Sequence, residues 1–186
     1  MPTDPTAVHP FVALPPVEAT AATNRIEEEV GELFDRFRRP LLRYLLSFGL
    51  TVSDGEEVVQ EVFLALFQHL SRGGSRSNLQ GWLFRVAHNQ ALKHRSRSRL
   101  NSESFAEEKV AVDPAPNPED RLAHNQTRSR IAAVVQALPE QDRRCLALRA
   151  EGLRYREIAG ILNMSLGAVS ISLARSLAKI ARTAER

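Results

Sequence analysis

From Asn24 onward, apolar side chains return at three- and four-residue steps: Ile26, Val30, Leu33, Phe34, Phe37, Leu41, Leu42, Leu45 and Phe48. That spacing marks one face of an α-helix. Pro40 inside the run predicts a kink or two abutting helices, because proline cannot donate to the preceding turn. Gly49 and the polar stretch 51–55 end it. Ser53 and Glu56 have the spacing of a capping box and predict the start of a second helix. Val58, Val59, Val62, Phe63, Leu66, Phe67 and Leu70 mark its buried face, while Glu57, Gln60, Glu61 and Leu64 repeat on another. The Gly-Gly pair and serines of SRGGSRSN (71–78) predict a flexible loop. A third helix follows from about Leu79, burying Leu79, Trp82, Leu83, Val86 and Ala91. Its exposed side is expected to carry Arg85, His88, Asn89 and Lys93 and to run into HRSRSR (94–99).

The second half of the chain repeats this helical grammar. Leu122, Ile131, Val134, Val135 and Leu138 predict a helix stopped by Pro139. Cys145, Leu146 and Leu148 mark the next, closed at Gly152. Residues 155–163, YREIAGILN, form a short helix, and Ser165 is placed to N-cap a last one reaching about Arg182. Short helix, tight turn at 163–165 and longer helix make a helix-turn-helix pattern, whose second helix enters the DNA major groove. No stretch alternates as a strand does. The chain therefore reads as all-α: two small helical domains joined by a flexible linker.

Composition sharpens those boundaries. The chain has 186 residues with a formal charge of only +3, but that charge is strongly segregated. Residues 1–61 hold 5 basic and 11 acidic side chains; residues 62–100 hold 7 basic and no acidic ones. Residues 101–120 hold 1 basic and 6 acidic ones, and residues 121–186 hold 12 and 5. Two basic blocks separated by acidic ones suggest two contacts with a polyanion. The expected organisation is a disordered, Pro/Ala/Thr-rich extension over 1–24, a helical domain over 25–100, an acidic Pro-containing linker over 101–120, and a helix-turn-helix domain over 121–186. No membrane insertion is expected, because no run approaches the ~18 apolar residues of a span. The lone Cys145 excludes a disulfide framework.

The residues 138–180, LPEQDRRCLALRAEGLRYREIAGILNMSLGAVSISLARSLAKI, resemble the C-terminal DNA-binding domain of bacterial sigma factors of the extracytoplasmic-function group, within the sigma-70 family. DGEEVVQEVFLALF (54–67) resembles that family's helix that grips the clamp helices of the RNA polymerase β′ subunit, and LQGWLFRVAHNQALKHRSRSR (79–99) its reader of the −10 element. The resemblance implies a sigma factor that binds core RNA polymerase and directs promoter-specific initiation, in the cytoplasm and without catalysis of its own. It implies polymerase binding by Glu57, Gln60, Glu61 and Leu64. The −10 DNA falls to Arg72, Arg76, Arg85, His88, Asn89, Lys93, Arg95, Arg97 and Arg99. The −35 DNA falls to Arg154, Arg156, Ser165, Ala168, Ser170, Ser172, Arg175 and Lys179. An anti-sigma protein is a partner common in the family.

The sequence departs from the family pattern in the recognition helix. Ala168, Ser170 and Ser172 stand where Thr, Lys and Arg are usual, implying an unusual or weaker −35 preference. Lys93 replaces a common Asp, and Arg154 a capping Ser or Thr. Two alternatives stay open on the residues: a stand-alone helix-turn-helix regulator and a sigma-like protein-interaction adaptor. No cofactor or metal is expected. The five histidines lack ligand spacing, Cys145 sits on an apolar stripe, and no Gly-rich phosphate loop or nucleophile elbow is present.

Overall fold

A computed structural model describes the backbone of residues 17–101 and 121–184 as seven α-helices, with no strand among the described residues. They are α1 (Val17–Leu46), α2 (Val52–Ser71), α3 (Leu79–Asn101), α4 (Arg121–Gln136), α5 (Glu140–Ala150), α6 (Tyr155–Leu162) and α7 (Leu166–Ala184). The all-α expectation holds. The expected acidic linker lies outside the described residues from 102 to 120, as does the extension before Val17.

Helices α1, α2 and α3 pack as a bundle. Phe37, Leu41, Tyr44 and Leu45 of α1 meet Val58, Val62, Phe63 and Leu66 of α2 and Leu83, Phe84 and Ala87 of α3, all buried. Gly55 lets α2 lie close against α1, since a Cβ there would lie 2.7 Å from Leu42 Cδ1 and push that side chain aside. In the second half, Cys145 and Leu148 of α5, Leu153, Ile158 of α6, and Val169 and Leu173 of α7 form the core. Helices α6 and α7 meet at 105°, within the range of a helix-turn-helix. Asn163 makes that turn in the left-handed region (φ 53°), and Ser165 Oγ accepts a hydrogen bond from Ala168 N at 3.1 Å, capping α7 as expected.

Four local expectations are corrected. Helix α1 begins at Val17, not near residue 24, and its helical backbone continues through Pro40 to Leu46, which removes the alternative of two abutting helices and keeps that of a single helix. Thr51, not Ser53, caps α2: its Oγ1 accepts from Asp54 N at 3.1 Å, and Glu56 instead pairs with Arg38 at 2.8 Å. The loop 71–78 is pinned rather than free. His69 stacks on Trp82 at 5.0 Å between ring centroids and its Nε2 lies 3.0 Å from the Ser75 carbonyl oxygen, while Asn78 Oδ1 caps α3 through Gly81 N. Gly74 fits against the His69 ring only because it has no Cβ.

The two halves are docked to each other. Arg43 of α1 donates through Nε and Nη2 to both Glu151 carboxylate oxygens at 2.9 Å, and Gln80 Nε2 donates to the Glu151 carbonyl at 2.8 Å. Arg95 of α3 pairs with Glu140 of α5. The Arg144 guanidinium lies 4.4 Å from the centre of the Phe48 ring. Buried apolar side chains from both halves form one continuous cluster.

Candidate functional site

Burying the Val58, Val62 and Leu66 stripe against α1 and α3 turns the opposite side of α2 outward. Glu57, Gln60, Glu61 and Leu64 are all exposed there, Leu64 by 60%. An exposed leucine among carboxylates offers an apolar anchor inside an acidic rim, the composition that meets a basic protein surface. The same carboxylates repel phosphate. Across a narrow cleft from Glu57 and Glu61 stand Lys93 and Arg97 of α3, so the acidic and basic faces adjoin without mixing.

On α3, Arg85, Asn89, Lys93 and Arg97 are exposed, and Arg72 is exposed in the preceding loop. Arg76 is also exposed but pairs with Glu29 of α1 at 3.0 Å. Arg95 is held by Glu140, which also receives Arg144 at 2.6 Å. These arginines differ in freedom: Arg72 and Arg97 carry no ion pair among the described residues, whereas Arg76 and Arg95 are partly neutralised by a carboxylate. Arg85 extends over α6, where a Cβ on Gly160 would meet its Nη2 at 3.0 Å. The side chain of Arg99 lies outside the described residues.

His88 does not stand on the exposed side as expected. It is 6% exposed, and its Nδ1 shares a 2.8 Å hydrogen bond with the buried Tyr44 hydroxyl, with Phe48 edge-on at 5.4 Å. Burial, reinforced by the nearby Arg144 cation, lowers the His88 pKa to about 4, and burial raises that of Tyr44. The pair is therefore neutral at pH 7 and structural. Periodicity alone could not reveal this, because Tyr44 and Phe48 close over a side of α3 that an isolated helix would leave open.

In the second half, Arg154, Arg156, Ser165, Ser170, Arg175 and Lys179 are exposed, and Ala168 is half-buried. Arg154 occupies the N-cap of α6, where its backbone N–H donates to the Glu157 carboxylate. Half of a capping box thus survives without the usual hydroxyl. Ser172 is corrected: it is 2% exposed and its Oγ donates to Asp142 Oδ1 at 2.8 Å, so it cannot reach a base edge. Arg175 donates through Nε and Nη2 to the same carboxylate at 3.0 and 2.8 Å. The Arg175 hydrogen bond, followed by that of Ser172, holds the Asp142 carboxyl below its ordinary pKa against the opposing effect of burial. Sequence reading missed Asp142 because it lies outside the helix-turn-helix, within an ordinary-looking α5. It also missed Arg130, which joins Lys179 and Arg182 along an open groove between α4 and α7.

Cys145 is fully buried beside Met164, with its thiol pKa raised by burial, as suits a core residue. No group of three or more His, Cys, Asp or Glu among the described residues could hold a metal ion. No single helix among them is long and apolar enough to cross a membrane.

Comparison with known proteins bears on both halves. Residues 33–100 match the family Sigma-70 region 2, and residues 128–180 match Sigma-70, region 4. The RNA polymerase sigma-H factor of Pseudomonas aeruginosa is 26% identical over 151 residues, covering 76% of this chain and 78% of that one. The ECF RNA polymerase sigma factor SigE of Mycolicibacterium smegmatis is 33% identical over 80% of this chain and 57% of its own. Among solved structures, the sigma factor RpoE in complex with the anti-sigma factor NepR from Bartonella quintana superposes with a TM-score of 0.65 at 20% identity, covering 85% of this chain and 98% of that one. That likeness is one of fold.

Proposed function

The chain belongs to the extracytoplasmic-function group of the sigma-70 family, and on that premise we propose how its surfaces divide the work of a promoter-directing sigma factor. It binds core RNA polymerase and promoter DNA and directs promoter-specific initiation; it is not an enzyme, since the polymerase supplies the chemistry. The observation that carries this function is the ordered pair of family regions on one chain. Its place of work is the cytoplasm, with the polymerase.

Glu57, Gln60, Glu61 and Leu64 hold the β′ clamp helices. Their shared exposure on α2 supports that role. Arg72, Arg76, Arg85, Asn89, Lys93, Arg95 and Arg97 serve the −10 DNA, and of the cations only Arg76 and Arg95 are already paired with a carboxylate among the described residues. Arg99 joins them as the continuation of the same basic run. Arg154, Arg156, Ser165, Ala168, Ser170, Arg175 and Lys179, with Arg130 added, serve the −35 DNA. His88 and Ser172 leave the contact set and act from beneath it.

Residues 102–120 connect α3 to α4 in the sequence. A chain of that length spans at most about 65 Å, more than the ~34 Å of a DNA turn between elements. Arg95 spends Nη1 on Glu140, so a phosphate reaching it competes for that guanidinium, and promoter engagement is proposed to loosen the contact between α3 and α5. An anti-sigma protein, the kind of partner seen with the Bartonella sigma factor, is proposed as a further partner. The test is transcription in vitro with core polymerase on fragmented genomic DNA, with start-site mapping. Discrete start sites that depend on the chain are expected; their absence would overturn the reading.

A further inference from the structure

The first turns of a recognition helix enter the major groove, and its base contacts come from the side chains exposed there. In α7 those are Leu166, Gly167, Ser170, Ile171 and Ala174, with Leu166 47% and Ile171 65% exposed. Ile171 is the most exposed large apolar side chain of the described residues, and Gly167, Ile171, Ala174 and Ala178 follow one another at helical steps on one face. Residues 164–174 contain no Arg, Lys, Asn, Gln, Asp or Glu.

The major-groove code makes that absence specific. Guanine is read by Arg or Lys, adenine by Asn or Gln, and cytosine by a carboxylate; the exposed Ser165 and Ser170 can bond to any base edge and so discriminate little, whereas the C5-methyl of thymine is read by apolar contact. Arg175 borders the face, but two of its nitrogens are fixed on Asp142, leaving Nη1 to reach outward. Arg130, Lys179 and Arg182 line the groove along one flank of α7. A large apolar side chain rimmed by cations fits a duplex that brings phosphates to the rim and methyl groups to the centre. We infer that this chain selects its −35 element through thymine methyl groups packed on Ile171, with Arg175 directed to the backbone. This rests on the assignment of α7 to −35 DNA.

The probe is deoxyuridine, which pairs as thymidine does and lacks only the methyl. A promoter that the full chain and core polymerase use on genomic DNA is prepared with thymine or uracil throughout its −35 segment. Uracil is expected to lower open-complex formation by about fourfold per contacted methyl, the value of one buried methyl group. Ile171→Ala should bring the thymine template down to the uracil level and leave the uracil template unchanged, while Ile171→Val should retain most of the difference. Equal use of the two templates by the unsubstituted chain would overturn the inference. An Ile171→Ala loss of the same size on both templates would also overturn it, and would assign the face to a protein partner. Absence of transcription from every genomic fragment would overturn the sigma reading itself, an outcome distinct from equal use.

Discussion

Helix α3 carries Arg85, Asn89, Lys93 and Arg97 on its exposed side, whereas the exposed side of α7 holds Ser170, Ile171, Ala174 and Leu177 with Arg175 at its edge. Their sequence blocks have similar excesses of positive charge, so the difference is one of placement. In the first half the cations sit on α3, the helix proposed to face DNA. In the second they are distributed over Arg130, Arg143, Arg144 and Arg149 and both flanks of α7, leaving the central face apolar. Charge positions a protein on DNA, but the side chains at the groove floor decide what it reads. Under the proposed roles, the α3 surface suits phosphate and strand, and that of α7 a narrow set of base edges.

The largest expected effect divides protein contact from DNA contact. Reversing Glu57 and Glu61 to Lys should weaken binding to core polymerase by about two orders of magnitude, because like charges juxtaposed across an interface cost several kcal/mol. Pull-down with purified core polymerase would measure it, and unchanged circular dichroism would exclude unfolding, since both side chains are exposed. The same reversal should leave −35 duplex binding by the chain unaffected. Equal loss of both would erase the division between the two surfaces.

A second effect separates what looks alike in sequence. His88 was indistinguishable from Asn89 by spacing, yet it is buried and hydrogen-bonded to Tyr44. Its pKa is lowered from 6.5 to about 4, so the unfolded chain binds its proton more tightly than the folded one. Stability from this pair is fully present above about pH 6.5 and is lost as pH falls towards 4, by up to roughly 3 kcal/mol. Urea unfolding at pH 7 and pH 4.5 should show this decline, and His88→Phe should flatten it.

Smaller effects concern the docking of the halves. Arg43→Ala removes an exposed bidentate pair with Glu151, a loss of about 1 kcal/mol or less. Glu140→Gln releases Arg95 and reduces its charge pairing with Arg144. Fluorescence transfer between labels on α1 and α5 should fall in either variant and fall further with added salt. The smallest effect is Arg97→Ala, which should reduce the salt slope of −10 strand binding by about one ion. Arg76→Ala should do less, because breaking its pair with Glu29 offsets part of the phosphate contact.

Much of this was legible in the sequence for a physical reason. Apolar periodicity follows from burial, so the helices α2, α3, α6 and α7 and the exposed quartet on α2 could be read directly. Thr51 escaped because Ser53 and Glu56 imitate the same capping grammar two residues later. The start at Val17 escaped because the residues before Asn24 carry no lasting apolar period. Ser172 and His88 escaped for a common reason: each meets a side chain of another helix, Asp142 of α5 and Tyr44 of α1, whose position no helical period encodes. Asp142 is the lesson of that group, a carboxylate far along the chain that sets the attitude of Arg175.

The most direct measurement is multi-round transcription in vitro with core polymerase, comparing the unsubstituted chain with the Glu57→Lys/Glu61→Lys variant on the promoters mapped from genomic fragments. Discrete, chain-dependent start sites that the variant loses would match a sigma factor held to polymerase through α2. Transcription that the variant supports equally well, or none with either protein, would contradict it.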